Sequence, residues 1–219
     1  MYARSYDAIW DSPLTRSVAS AVFDVSAGSD VVDLGCGTGL VARVFVGHGS
    51  VVTGVDSSAL MLRRAQAKSR VSTCVLATAN RTALASTCAD TVLLINILHL
   101  LDDPVAALLE AIRLVRPGGR IVLAWPLDGV TTDSVRRADR LSGRGIVRSA
   151  VAHHLREAIG VMSWALRVDR KTAAELTAIV HEMAAQHDLI PEPVVTIHGV
   201  QAITALRVPV PSLRLSSLA

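Results

Sequence analysis

The residues best suited to chemistry follow two short apolar runs that are typical of buried strands. The first run leads into a glycine-rich segment that reads Asp33-Leu34-Gly35-Cys36-Gly37-Thr38-Gly39, and the second ends at Asp56. Closely spaced glycines allow backbone N–H groups to approach a ligand, and an acid at the end of the next strand can bind a ribose diol. A dinucleotide fingerprint would need a third glycine where this chain has Leu40. The Gly-x-Gly-x-Gly spacing therefore predicts a different nucleotide-type ligand.

Strands and helices are expected to alternate around this segment. Apolar runs predict strands at Val31–Leu34, Val51–Val55, Val71–Ala77, Thr91–Ile95 and Ile121–Trp125. Amphipathic patterns predict helices at Leu40–His48, Ala59–Lys68 and Pro104–Val115, the last of them ended by Pro117-Gly118-Gly119. This alternation predicts an α/β fold with a doubly wound, Rossmann-like, mostly parallel seven-stranded sheet.

The flanking segments carry different patterns. Residues 2–24 are expected to be helical. Residues 134–187 lack strand signals, which indicates a helical insertion before the final two strands. Those strands are expected at Val194–Ile197 and Ala202–Val208, as an antiparallel pair that closes the sheet.

Five motifs occur in order over residues 31–124. They are Asp33 to Gly39, Asp56 to Leu62, Ala89-Asp90-Thr91-Val92, Leu98 to Pro104, and Leu114 to Arg120. In this order they resemble the motifs of class I S-adenosylmethionine-dependent methyltransferases of the small-molecule type. The resemblance implies a single methyltransferase domain over 1–219. Its parts would be an N-terminal helical lid (1–30), a cofactor-binding core (31–126), a helical acceptor region (127–190), and closing strands with a tail (191–219).

The resemblance implies S-adenosylmethionine as cofactor and S-adenosylhomocysteine as product. The cofactor-binding residues would be Asp33, Gly35, Cys36, Gly37, Gly39, Asp56, Ser57, Met61, Thr78, Ala79 and Asn96. Asp56 would accept both ribose hydroxyls, or serve only as a helix cap. Met61 would lie along the adenine, or belong to the core. Thr78 stands where many relatives have an aspartate for the adenine amino group, and Asn80 could take that role in a shifted register.

Two residues after the fourth predicted strand are candidates for the methyl-transfer step. A sulfonium is already activated, so the enzyme mainly supplies proximity and alignment, and a base is needed only for a nucleophile that must lose a proton. Asn96 and His99 follow a strand whose carboxyl end should face the ligand. His99 could act as that general base, or could be a helix-start histidine bonded to backbone.

Aromatic residues and one histidine are candidates for binding the acceptor. Tyr6 and Trp10 share a helical stripe with Tyr2, which predicts either a lid over the site or plain packing of a terminal helix. Trp125 ends the fifth predicted strand at the expected pocket edge. One member of the pair His153-His154 could enter the pocket, since neighbours on a helix point to different faces.

Composition narrows the function classes. The net charge is +3, and aromatic residues for base stacking are absent around the densest arginine cluster, so nucleic acid is an unexpected partner. The three cysteines lack metal-ligand spacing, and no metal site is expected. No apolar run could span a membrane, which predicts a cytoplasmic protein, monomeric or homodimeric.

These observations favour methyl transfer to an O or N nucleophile of a small metabolite, with secondary metabolism as one setting. Two alternatives remain open at this point. The first is a nucleic-acid methyltransferase acting on RNA, although Asn96-Ile97-Leu98-His99 lacks the proline and aromatic residues that clamp a base amine. The second is a S-adenosylmethionine-binding fold without methyl transfer.

Overall fold

A computed structural model describes residues 6–8, 10–142 and 171–211, which form an α/β structure around one sheet. The strands are β1 Asp30–Leu34, β2 Val51–Asp56, β3 Thr73–Leu76, β4 Ala89–Ile95, β5 Val115–Pro126, β6 Ile190–Pro191, β7 Val195–Ile197 and β8 Gln201–Arg207. Their order is β3-β2-β1-β4-β5-β8-β6, with β7 also paired to β8. Strands β1 to β5 pair in parallel, whereas β8 runs antiparallel to its neighbours β5, β6 and β7.

Helices follow the strands and cover both faces of the sheet. They are α1 Pro13–Asp24, α2 Ala42–Gly47, α3 Ala59–Ala67, α4 Pro104–Leu114, α5 Thr132–Leu141 and α6 Ala173–Gln186, with a 3₁₀ turn at Leu98–Leu100. Their starts are set by local chemistry. Ser12 and Asp103 cap α1 and α4, each directly before a proline, and Ser58 caps α3.

Two apolar layers hold the sheet between the helices. On one face, β4 and β5 pack through Leu94 and Leu123 against α4 and α6. On the other face, Leu93 and Val122 pack with Phe45 of α2 and with α1. A parallel sheet buried on both faces selects continuous apolar strands, which is why the first, second and fourth strands are predictable from sequence.

The structure differs from the expectations at two places. Strand β5 begins at Val115 and runs through Pro117-Gly118-Gly119, with a register shift against β4 between Ala89 and Thr91, so these residues do not form a separate turn. The two-residue β6 pairs with β8 and brings the described sheet to eight strands. In the expected helical insertion, α5 and α6 are confirmed as helices, and residues 143–170 lie outside the described part of the chain.

The helices of the described ranges include none that is both long and apolar enough to cross a membrane.

Candidate functional site

The glycine-rich loop after β1 crosses to the end of β2. The backbone N–H groups of Gly35 and Cys36 both donate to the Val55 carbonyl oxygen, at 2.8 and 2.9 Å. Gly37 has a φ of +56°, a conformation that side chains disfavour. Gly35 has a φ of +75°, and a Cβ atom there would lie 2.0 Å from Cδ1 of Ile97, so a side chain would be strained and would displace Ile97. The loop is thus packed tightly against the residues that follow β4.

Asp56 joins this loop to the start of α3. One carboxylate oxygen accepts the Gly37 N–H at 2.9 Å, and the other accepts the Ser58 N–H at 2.8 Å. Each oxygen keeps a further lone pair, and the side chain is only partly buried. Asp56 can therefore hold the loop and still accept two hydroxyl groups. Ser57 beside it is exposed.

Asp33 is a buried carboxyl group on β1, 3% exposed, and the described residues provide no ion pair or hydrogen bond for its side chain. Burial raises its pKa to about 7, and the nearby negative charge of Asp56 adds to the increase. Cys36 also lies in this environment, and burial raises the pKa of its thiol. A buried carboxyl group without a described cation suits a ligand that carries positive charge.

The loop after β3 carries the residues expected to contact adenine. Thr78 is exposed and its carbonyl accepts the Arg81 N–H at 3.1 Å, whereas Ala79 and Met61 are buried. Asn80 is exposed. These positions put Thr78 and Met61 on two neighbouring segments after β2 and β3, both at the carboxyl edge of the sheet.

Glu110 of α4 anchors this same loop, and sequence reasoning missed it. Its Oε1 atom accepts the Thr82 N–H at 2.8 Å and the Thr82 hydroxyl at 2.6 Å. The hydrogen bonds from Arg113 are the main cause that lowers the pKa of Glu110 to about 2. The i,i+3 spacing of Glu110 and Arg113 on a helix is a sequence signal for an ion pair. No such signal links Glu110 to Thr82.

The segment after β4 lies beside the glycine loop. Asn96 is exposed with a φ of +57°, its N–H donates to Ala124 at 2.8 Å, and its side-chain oxygen accepts a hydrogen bond from Gln201. His99 lies on the 3₁₀ turn and is half-buried, with its Nδ1 atom shielded from solvent. Trp125 is 1% exposed beneath this region, and its Nε1 finds no hydrogen-bond partner in the structure described here.

The remaining candidates lie on the N-terminal side or outside the described ranges. The Tyr6 hydroxyl oxygen would be 3.8 Å from a Cβ atom at Gly37, so its ring faces the glycine loop. Trp10 is 42% exposed, with its ring centroid 6.3 Å from that of Tyr6. Tyr2 and His153 lie outside the described residues. Within those residues, no cluster of three or more His, Cys, Asp or Glu side chains could hold a metal ion.

We expect Asp56→Ala to weaken binding of S-adenosylmethionine by about tenfold to a hundredfold or more, because hydrogen bonds to a charged group contribute roughly 1.5–3 kcal/mol. Calorimetry measures the affinity. Ser58→Ala is the matched control, since it removes a neighbouring cap and leaves the carboxylate in place. A ligand whose ribose lacks one hydroxyl separates the two roles of Asp56. The wild type should bind this ligand more weakly than it binds the parent ligand, and Asp56→Ala should bind the two ligands equally well. If Asp56→Ala binds S-adenosylmethionine with the wild-type affinity, Asp56 only anchors the loop.

Comparison with known proteins agrees with this arrangement. Residues 32–123 match the family model described as a methyltransferase domain. An uncharacterised methyltransferase of Mycobacterium tuberculosis is 34% identical over 119 residues, which are 54% of this chain and 49% of that protein. A malonyl-[acyl-carrier protein] O-methyltransferase of Pectobacterium atrosepticum is 32% identical over 123 residues, 56% of this chain and 49% of that protein. The chain thus spans about half the length of the curated relatives it matches.

Solved structures share the fold over most of the chain. A S-adenosylmethionine-dependent methyltransferase from Aquifex aeolicus superposes with a TM-score of 0.60 at 15% identity, and the match covers 93% of both chains. The N-methyltransferase NodS of Bradyrhizobium japonicum, in complex with S-adenosylhomocysteine, gives 0.60 at 16% identity over 91% of this chain and 89% of that one. Residues 32–123 thus match the methyltransferase-domain family model, and the fold over most of the chain is that of solved S-adenosylmethionine-dependent methyltransferases.

Proposed function

We propose that this protein transfers the methyl group of S-adenosylmethionine to an oxygen or nitrogen nucleophile of a small metabolite. The observation that carries the proposal is the junction of the glycine loop with Asp56 at the carboxyl edge of β1 and β2. The names of similar proteins support oxygen and nitrogen as the methylated atoms: the Pectobacterium relative is named a malonyl-[acyl-carrier protein] O-methyltransferase and the Bradyrhizobium neighbour an N-methyltransferase.

The residues at this edge fit S-adenosylmethionine in shape and charge. Gly37 has no side chain to obstruct a ligand at its backbone, and Asp56 offers two lone pairs to a ribose diol. Buried Asp33 would be stabilised in its charged form by a ligand with sulfonium and ammonium groups. A neutral or anionic nucleotide would leave that carboxyl group without compensation.

The cofactor supplies an activated methyl group, and the chain supplies alignment and exclusion of water. Asp56 would fix the ribose end, and the glycine loop would fix the chain that leads to the sulfur. Ile97 packs against Gly35, so the segment that leads into the 3₁₀ turn with His99 lies beside the glycine loop. His99 would accept the proton of an acceptor hydroxyl or amine, while Asn96 would help to position the acceptor.

Acceptor recognition is assigned to the segments around this turn. Trp125, which is 1% exposed, would support the segment after β4 from beneath rather than touch the acceptor, and His153 remains a candidate contact.

We expect S-adenosylmethionine and S-adenosylhomocysteine to raise the melting temperature and NAD to leave it unchanged, because only a ligand of the folded state stabilises it. A second assay measures release of S-adenosylhomocysteine over matched panels of hydroxyl, carboxyl and amine metabolites. Product release with one class establishes the reaction. Stabilisation without turnover on any panel would favour a non-catalytic S-adenosylmethionine-binding protein, and stabilisation by NAD alone would contradict the proposal.

A further inference from the structure

Residues 6–12, here called the N-terminal strap, are tied to the glycine loop by charged side chains. The structure describes all of them except Ile9. Asp7 accepts a hydrogen bond from the Thr38 hydroxyl, and Thr38 is the loop residue between Gly37 and Gly39. Tyr6, one residue earlier, turns its ring toward Gly37. The strap therefore contacts the cofactor loop directly.

Arg70 forms the centre of this contact and is 8% exposed. Its Nη1 atom donates to Asp7 at 2.8 Å and to the Thr38 carbonyl at 3.0 Å. Lys68 adds a second cation on Asp7. A buried guanidinium that serves both the loop and the strap makes the position of one depend on the other.

A second ion pair holds the far end of the strap. The two carboxylate oxygens of Asp11 accept hydrogen bonds from Nη1 and Nη2 of Arg43, each at 2.8 Å. The Nη2 atom of Arg70 lies 3.7 Å from the same carboxylate. Arg16 pairs with Asp11 at 3.2 Å on the exposed side. Arg43 belongs to α2, which directly follows the glycine loop, so each end of the strap is attached to a flank of the cofactor site.

We propose that the strap is a latch that closes over the bound cofactor, and that Asp7 is the positioning residue that fastens it through Thr38 and Arg70. The proposal rests on the proposed function, because it needs S-adenosylmethionine or its product in the loop. Tyr6 covers the Gly37 side of the site when the latch is closed. Entry and release of the cofactor then require the contacts of Asp7 to break, and these contacts set the dissociation rate more than the association rate.

The test compares the dissociation of radiolabelled S-adenosylhomocysteine from wild type, Asp7→Asn and Thr38→Val in a chase with excess unlabelled ligand. Each substitution removes a charge-assisted hydrogen bond between strap and loop, and we expect dissociation about tenfold faster with association changed less than threefold. Because both substitutions break the same contact, the double variant should dissociate no faster than the faster single variant. Thr38→Val keeps the Asp7–Arg70 ion pair, so this variant alone tests the latch if Asp7→Asn folds poorly.

Asp133→Asn is the matched control, since Asp133 pairs with Arg136 on the exposed surface of α5 and its side chain is 82% exposed. It should dissociate at the wild-type rate. Equal dissociation rates in wild type, Asp7→Asn and Thr38→Val would overturn the latch and leave the proposed function intact. Absence of any binding by the wild type would overturn both.

Discussion

The affinity for S-adenosylmethionine is expected to fall about tenfold for each pH unit below pH 7, approaching a hundredfold loss by pH 5. Asp33 is the cause, because burial and the charge of Asp56 raise its pKa to about 7 in the ligand-free protein. A ligand with net positive charge at this position favours the carboxylate, so binding must release a proton whenever Asp33 is protonated. Below pH 7 that release opposes binding, and the affinity falls until the pKa of the bound state is reached.

Calorimetry between pH 5 and 8, in buffers of different ionisation enthalpy, measures both the affinity and the protons released. The matched variant is Asp33→Asn, which has the same shape and cannot ionise. It should bind weakly at every pH and release no proton at Asp33. A wild-type affinity that stays constant from pH 5 to 8 would show that this carboxyl group does not sense the ligand.

The same group gives a stability signature of opposite sense. Its folded-state pKa is raised above the unfolded value near 3.9, so the stability it contributes is present in full below that value and is lost as the pH rises through about 7. Asp33→Asn should therefore raise the melting temperature of the ligand-free protein at pH 8, because the buried charge that wild-type Asp33 carries at that pH is then absent. At pH 4 it should change little.

Local signals in the sequence were sufficient for the central part of the fold. Strands β1 and β4 are apolar runs that are largely buried, and β2 is an apolar run with an exposed first residue. The glycine spacing predicts the loop, because glycine readily adopts the positive φ angles found there. A serine cap for α3 was also predictable, at Ser57 or Ser58, and Ser58 is the residue that caps the helix. These features depend on residues within a few positions of each other.

The features that were missed depend on residues far apart in sequence. Asp7 meets Thr38 and Arg70 across 31 and 63 positions, and Glu110 reaches Thr82 across 28. Neither pairing leaves a periodic pattern in the chain. Strand β5 was predicted too short because Pro-Gly-Gly usually interrupts regular structure, whereas here a register shift against β4 accommodates it.

We expect His99→Ala to lower the turnover number about a hundredfold, because general acid–base catalysis typically contributes at least that factor. His99 follows β4 at the edge of the sheet where open α/β folds bind their ligands. Buried Leu98 anchors its 3₁₀ turn, and the Leu100 N–H donates to Ile97 at 2.8 Å. The alanine variant should keep this backbone conformation, and its affinity for S-adenosylmethionine should stay within about threefold of the wild type. The loss should therefore appear in turnover rather than in cofactor binding.

The decisive measurement is the dependence of turnover on pH at saturating S-adenosylmethionine, with an acceptor found in the product-release assay. Saturation removes the contribution of Asp33, because protonation of that group acts on affinity. The wild type should lose activity as the pH falls through the range in which imidazole is protonated, and the variant should lose this dependence. His181→Ala is the control, since His181 is exposed on α6. A variant at position 99 that keeps the wild-type rate from pH 6 to 9 would remove the histidine from the mechanism, and alignment of acceptor and cofactor would then account for the reaction.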